Sequence, residues 1–246
     1  MGRFYLDLEF TNGNYYLADI IELALLSEET GNVFHSYIRI HYLIPKRVKE
    51  LTTISDDTLA SIGCSFKDTF VALNDFIKSE TLQDESKPLI IAHAGFLFDF
   101  PILVTNCMKH KIQDFGILQH CLFADSIEVL RENGYQRPGL DSLCQQFGLM
   151  RDVHSALGDV QLLKKVFYNQ HIHREHIRTF EKVVFDLKQK LSVRIIKIYE
   201  WARKCHSHHD LEIMLVKFVK KKTALTSHQM FKIAFWYFKD RHVICK

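Results

Sequence analysis

Apolar and polar residues recur with two different periods along this chain, and the change of period divides it. Near the start, Phe4-Tyr5-Leu6-Asp7-Leu8-Glu9-Phe10-Thr11 is an apolar run broken by acids at alternate positions, which predicts a strand over residues 3–9. Tyr15–Leu26 and Val33–Tyr42 are rich in β-formers, and Asn12-Gly13-Asn14 and Thr30-Gly31-Asn32 supply turns between them. The front of the chain reads as an antiparallel meander of three strands that ends at Pro45. Ser55 then caps a helix start within Thr53-Ile54-Ser55-Asp56-Asp57. Phe66–Ile77 carries apolar residues at 66, 70, 73, 76 and 77, a helical spacing.

Pro88 opens Leu89-Ile90-Ile91-Ala92, a fully apolar run of the kind found in buried parallel strands. Asp99 follows at a helix start. Leu122–Asp125 reads as another short strand, with Asp125 capping the helix that begins at Ser126. Gly139–Leu149 predicts a helix ended by Gly148, and Ser155 caps one that runs through about Tyr168. From His171 onward the pattern is helical only, as in Phe180–Trp201, with apolar residues at 180, 183, 184, 187, 191, 195 and 198. The prediction is an α/β fold: a five-stranded mixed sheet, three antiparallel strands followed by two parallel ones, flanked by helices. The domain spans residues 1–169, and a helical extension spans 170–246.

Composition sharpens this picture in two places. With 47% hydrophobic and 25% charged residues the chain can bury a sizeable core. No apolar run approaches the ~18 residues of a membrane span, and with the first strand beginning at about Arg3 the expectation is that no secretory leader precedes it. The six cysteines, at 64, 107, 121, 144, 205 and 245, form no CxxC pair, so the expectation is a reducing intracellular compartment, without a membrane partner. Residues 1–169 hold 15 Lys and Arg against 22 Asp and Glu, a net of −7. Residues 170–246 hold 17 against 7, a net of +10. An acidic front half suits cations, and a basic tail suits an anionic partner or is a solvated helical face.

Asp7 and Glu9 lie two apart on a strand, hence on one face. They are either the polar face of an edge strand or a pair of oxygen ligands. Asp99 and Asp159 each sit at or near a helix start, and His154 lies five residues before Asp159. A mixed sheet brings the first strand and both helix starts to one edge. Four carboxylates in one cleft repel, so divalent cations are their natural complement. Two such ions suit phosphodiester cleavage, and a histidine near neutral pKa suits proton transfer.

The order D-x-E, then H-x-G-x-x-F-D-F-P-x-L from His93, then Asp125-Ser126, then H-x-A-x-G-D-V from His154, resembles the DEDDh 3′–5′ exonucleases. Within these it is most similar to the three-prime repair exonuclease (TREX) branch, and the short chain without inserts matches viral members. The resemblance covers roughly residues 3–168. It implies a ribonuclease H-like fold, two Mg²⁺ ions for which Mn²⁺ substitutes, and a homodimer joined edge to edge through a strand. By the same resemblance Asp7 bridges both metals, Glu9 and Asp159 hold the nucleophile-side ion, and Asp99 holds the leaving-group side. His154 is the general base. Phe10 and Thr11 meet the 3′-terminal nucleotide, and Phe98 and Ile54 pack near the last bases. The implied substrate is DNA with a free 3′-hydroxyl, single-stranded or frayed, released as 5′-mononucleotides. The chain departs from the family pattern at Ala94, where asparagine is usual, at Phe10-Thr11-Asn12, and at Thr53, where glycine is usual.

Two other readings stand beside this one: an RNA exonuclease of the same fold, and a silent nucleic-acid-binding module. His93 is expected to be structural. Cys205, His206, His208 and His209 form a compact group, but their spacing is unlike a closed zinc site. Lys217, Lys220, Lys221 and Lys222 suit phosphate contacts.

Overall fold

The central strand of the sheet is also its first. β1 (Arg3–Phe10) pairs antiparallel with β2 (Ile20–Ser27) and parallel with β4 (Leu89–Ala92). β3 (Val33–Tyr37) continues the antiparallel side, and β5 (Leu122–Asp125) continues the parallel side. The computed structural model describes residues 2–15, 17–81, 87–151 and 154–189. The extension, with its lysines and its Cys-His group, lies outside the described residues apart from residues 170–189. The chain divides into two units, Met1–Val184 and Phe185–Lys246.

A sixth strand completes the sheet, in the order β3-β2-β1-β4-β5-β6. β6 (Arg178–Thr179) pairs antiparallel with Leu122 and Phe123 of β5. It corrects two expectations, a five-stranded sheet and helices alone after His171. The reason is physical: the outer edge of β5 needs backbone partners. Phe180, just beyond, packs its ring 4.8 Å from that of Phe115 and 6.1 Å from that of Phe123.

The second strand begins at Ile20 rather than Tyr15. The Asn14 carbonyl accepts the N–H groups of Leu17 and Ala18, both at 2.9 Å, which curls that segment into a turn. Thr105 Oγ1 donates to the Tyr15 carbonyl at 2.7 Å and holds the turn against the helix that carries it, α4 (Asp99–Lys109). The third strand stops at Tyr37 rather than Tyr42, after which only Ile38 bridges, to Cys64. The Pro45 carbonyl accepts from Val48 and Lys49 and starts a helix that the sequence pattern does not show, α1 (Lys46–Thr52).

The remaining helices follow their caps. Ser55 Oγ accepts from Thr58 N at 3.0 Å at the start of α2 (Asp56–Ile62), and α3 (Phe66–Thr81) comes next. Asp125 caps α5 (Ser126–Glu132), Gly148 lies at φ +63° just past α6 (Leu140–Gln146), and Ser155 caps α7 (Ala156–Phe167). α7 packs across β1 and β2. Its Val160, Leu163, Val166 and Phe167 join Tyr5, Ala24, Leu26, Leu89, Ile91 and Ala124 in the main core. Tyr5, Asp7 and Glu9 alternate onto one strand face, so the core under α7 leads directly into the two acids.

Candidate active site

β4 ends opposite Leu6, and beyond that point the β4 side of β1 has no strand partner among the described residues. The Leu8 N–H is the first donor left over, and Asp99 Oδ1 accepts it at 3.1 Å. The first residue of α4 is thereby tied to the strand between Asp7 and Glu9. The H-x-G motif makes the approach possible. A Cβ on Gly95 would stand 2.6 Å from the Phe100 ring and 2.8 Å from the Ala92 Cβ, so only glycine lets the chain turn this tightly from β4 into α4.

From the opposite side α7 delivers Asp159, and the residues before its Ser155 cap deliver His154. Ligand atoms of Glu9, His154 and Asp159 all lie within 4.8 Å of one another. Asp7 belongs to the same cluster electrostatically. Burial raises its pKa well above the usual carboxylate range, and the charges of Asp99, Asp159 and Glu9 push it further. Glu9 is pushed up to about 8, by burial first and then by Asp159 and Glu22. Burial raises Asp99 and Asp159 as well, against hydrogen bonds that lower them. Carboxylates that resist ionising together form a site short of positive charge, and all-oxygen donors suit a hard divalent ion. The residues present therefore fit such a metal.

Asp125, the other acid of the motif series, has both oxygens engaged, from Ile127 N at 2.9 Å and Phe96 N at 3.1 Å. It is a cap, as expected. His93 Nδ1 lies 2.8 Å from Ser126 Oγ, and burial, then the nearby Arg151 charge, lower its pKa to about 4.

The expected nucleotide contacts separate into two groups. Phe10 and Phe98 stack, with ring centroids 6.2 Å apart, beside Glu9 and Asp99. Thr11 is buried, and its hydroxyl lies 3.0 Å from Tyr42 Oη while accepting from Asp19 N at 3.0 Å. Ile54 is buried in a separate cluster with Ile21, Ile44 and Leu59.

Two residues of the site escape sequence reasoning. Arg151 Nε donates to Asp159 Oδ1 at 2.8 Å, and Arg151 Nη2 also reaches His154 Nδ1 at 2.8 Å. Glu22 is 1% exposed in β2. It accepts from Ala156 N at 3.1 Å, at the start of α7, and lies 2.8 Å from His35 Nε2. It directly faces Glu9 in the register of β1 and β2. One signal for Glu22 was available: it is a lone acid in the apolar run Ile20–Ser27, which only a partnered carboxylate tolerates. Arg151 carries no such local signal.

An acid cluster at the end of a parallel pair of strands, backed by a histidine, defines a metal-fitted hydrolytic site on a ribonuclease H-like sheet. The known relatives agree. The family profile described as Exonuclease (RNase_T) matches residues 4–167, so the chain belongs to this exonuclease family. Its acids and histidine stand in the DEDDh order. The DNA polymerase III subunit epsilon of Buchnera aphidicola subsp. Baizongia pistaciae is 30% identical over 193 residues, covering 72% of this chain and 74% of that one. Exonuclease DPD1, chloroplastic/mitochondrial, of Arabidopsis thaliana is 28% identical over 138 residues, 52% of this chain and 36% of that one. Among solved structures, the nuclease domain of 3′hExo, a DEDDh member bound to rAMP, superposes with a TM-score of 0.55 at 17% identity. It covers 67% of this chain and 88% of that one.

Proposed function

We propose that the protein is a divalent-metal-dependent 3′–5′ exonuclease that acts on DNA. The observation that carries this reading is the convergence of Glu9, His154 and Asp159 to within 4.8 Å, beside Asp7. Asp7, Glu9, Asp99 and Asp159 would hold two Mg²⁺ or Mn²⁺ ions. Such ions supply Lewis acidity, which lowers the pKa of a water and neutralises charge on the phosphoryl oxygens. The protein's own groups do the rest. Phe10 and Phe98 stack beside the acids and offer apolar faces to a terminal base. His154 takes the proton of the attacking water as the new phosphorus–oxygen bond forms. The bond from phosphorus to the 3′-oxygen of the penultimate nucleotide breaks, that oxygen takes a proton from solvent, and His154 returns its own proton to solvent. A 5′-mononucleotide leaves, and a new 3′-hydroxyl remains for the next cycle.

DNA is favoured over RNA because the relatives of higher identity include a DNA polymerase III subunit. Placement in the TREX branch rests on the motif spacing from His93 to Asp99, and a homodimer follows from that placement. A reducing compartment is proposed from the six scattered cysteines, which form no CxxC pair. Two 5′-labelled oligonucleotides of one sequence, single-stranded DNA and RNA, test the reading when incubated with protein and Mg²⁺ beside an Asp7→Ala control. The expected result is a 3′-shortening ladder on DNA that the control lacks, with a rate loss of at least about 100-fold. A ladder on RNA alone replaces the substrate, and no ladder on either overturns the activity.

A further inference from the structure

One guanidinium occupies the place where the reaction needs both a divalent ion and an unencumbered base. Arg151 Nε donates to Asp159 Oδ1 at 2.8 Å and Nη2 donates to Asp159 Oδ2, so a single fork covers both oxygens of this carboxylate. The same Nη2 points at His154 Nδ1, 2.8 Å away. An arginine has donors only, so Nδ1 accepts. Neutral His154 then carries its proton on Nε2, and neither ring nitrogen has a lone pair left for a water proton. On its far side Nη1 donates to Asp141 Oδ1 at 2.6 Å. Arg151 is 13% exposed and Asp159 5%, whereas Asp141 is 74% exposed. The contact with the metal-fitted acid is thus part-buried, and the contact with Asp141 faces water. The positive charge also opposes the pKa rise of Asp7 and Glu9.

We propose that Arg151 is a resident cation that caps the metal-free site, and that a divalent ion binding at Glu9 and Asp159 must displace it, freeing His154 in the same movement. The proposal rests on the metal-dependent reading of these acids. A guanidinium and a divalent ion compete for the same Asp159 oxygens. The ion brings twice the charge and gathers several carboxylates at once, so it wins when present at sufficient concentration. Asp141 then retains the displaced guanidinium near the site. Metal loading and activation of the base are coupled through one side chain, and apparent metal affinity is lowered by the fraction of protein that is capped.

Calorimetric titration with MnCl₂, without nucleic acid, tests this on the full chain and on Arg151→Gln and Arg151→Lys. Removal of the competitor is expected to tighten Mn²⁺ binding roughly tenfold in Arg151→Gln. Arg151→Lys, which keeps the charge without the fork, falls between. Unchanged or weaker binding in both variants overturns the proposal and makes Arg151 a support for Asp159. Imidazole ¹⁵N spectra of the unmutated chain give a second readout that does not depend on any variant folding. Mg²⁺ is expected to shift the His154 Nδ1 resonance away from its hydrogen-bonded position, and an Nδ1 resonance indifferent to Mg²⁺ overturns the cap. If the metal-dependent reading itself is wrong, the outcome differs: neither the unmutated chain nor the variants bind Mn²⁺, and the cap falls with it.

Discussion

Two departures from the family pattern, Ala94 and Thr53, turn out to share a backbone state. Ala94 has φ +55° and Thr53 φ +60°, the left-handed region that asparagine and glycine enter at little cost. The usual residues at these positions are explained by conformation, and this chain keeps the turns at the cost of strain. Thr53 is the sharper case, because a β-branched residue resists this region by ~1–2 kcal/mol. Its side chain is exposed at the end of α1, so nothing is lost by removing it. Thr53→Gly is therefore expected to raise Tm by roughly 2–4 °C after glycine's own entropic cost. A calorimetric Tm at or below that of the unmutated chain sinks the strain argument. The same scale shows what sequence could and could not reveal. Asp7, Glu9, Asp99, His154 and Asp159 stand at strand alternations or helix starts, where each alone also reads as an ordinary polar position or cap; it is their joint order along the chain that marks them as candidates. Arg151 acts across space, on Asp141, His154 and Asp159 at once, and no period or cap marks such a role.

Strands with a buried face and capped helices were legible because their signals are local. β1, β4, β5, α5 and α7 stand close to where periodicity and caps place them. The curl after Asn14 was not legible, since the N–H groups that its carbonyl accepts and the tertiary hydrogen bond that Thr105 donates to the Tyr15 carbonyl override the β-propensity of Tyr15. β6 was not legible either, because two residues are too few to show a period. At the other end of the sheet, β3 has no strand partner on its outer edge among the described residues. Exposed strand edges invite pairing with another chain. An edge-to-edge dimer through β3 is accordingly expected, with a light-scattering mass near twice 28.9 kDa. A mass of one chain at micromolar concentration removes the dimer and leaves the nuclease reading untouched.

For the whole molecule, the concentration of acids in one cleft links stability to pH and to metal. Glu9, raised to about 8 when folded and near 4.5 when unfolded, stabilises the fold fully below 4.5. That contribution fades as pH rises through about 8. The raised Asp7, Asp99 and Asp159 carry the same sign. His93, lowered to about 4, acts oppositely, but only below the usual histidine value of 6.5. Between pH 6.5 and 8, then, Tm of the metal-stripped protein in EDTA is expected to fall. Saturating Mn²⁺ should flatten or reverse that slope, because cation binding grows as the acids ionise. A Tm in EDTA that holds steady or climbs across this window would contradict the buried acid cluster.

The short reach of β4 has a consequence for anyone wishing to transplant this chemistry. Asp99 can hold Leu8 N only because the neighbouring strand has already stopped at Ala92. A host sheet with a longer neighbour would spend that N–H on an ordinary ladder rung. It could accept all five residues at their native spacing and still assemble no site. Strand length belongs to the blueprint of this catalyst as much as its acids do.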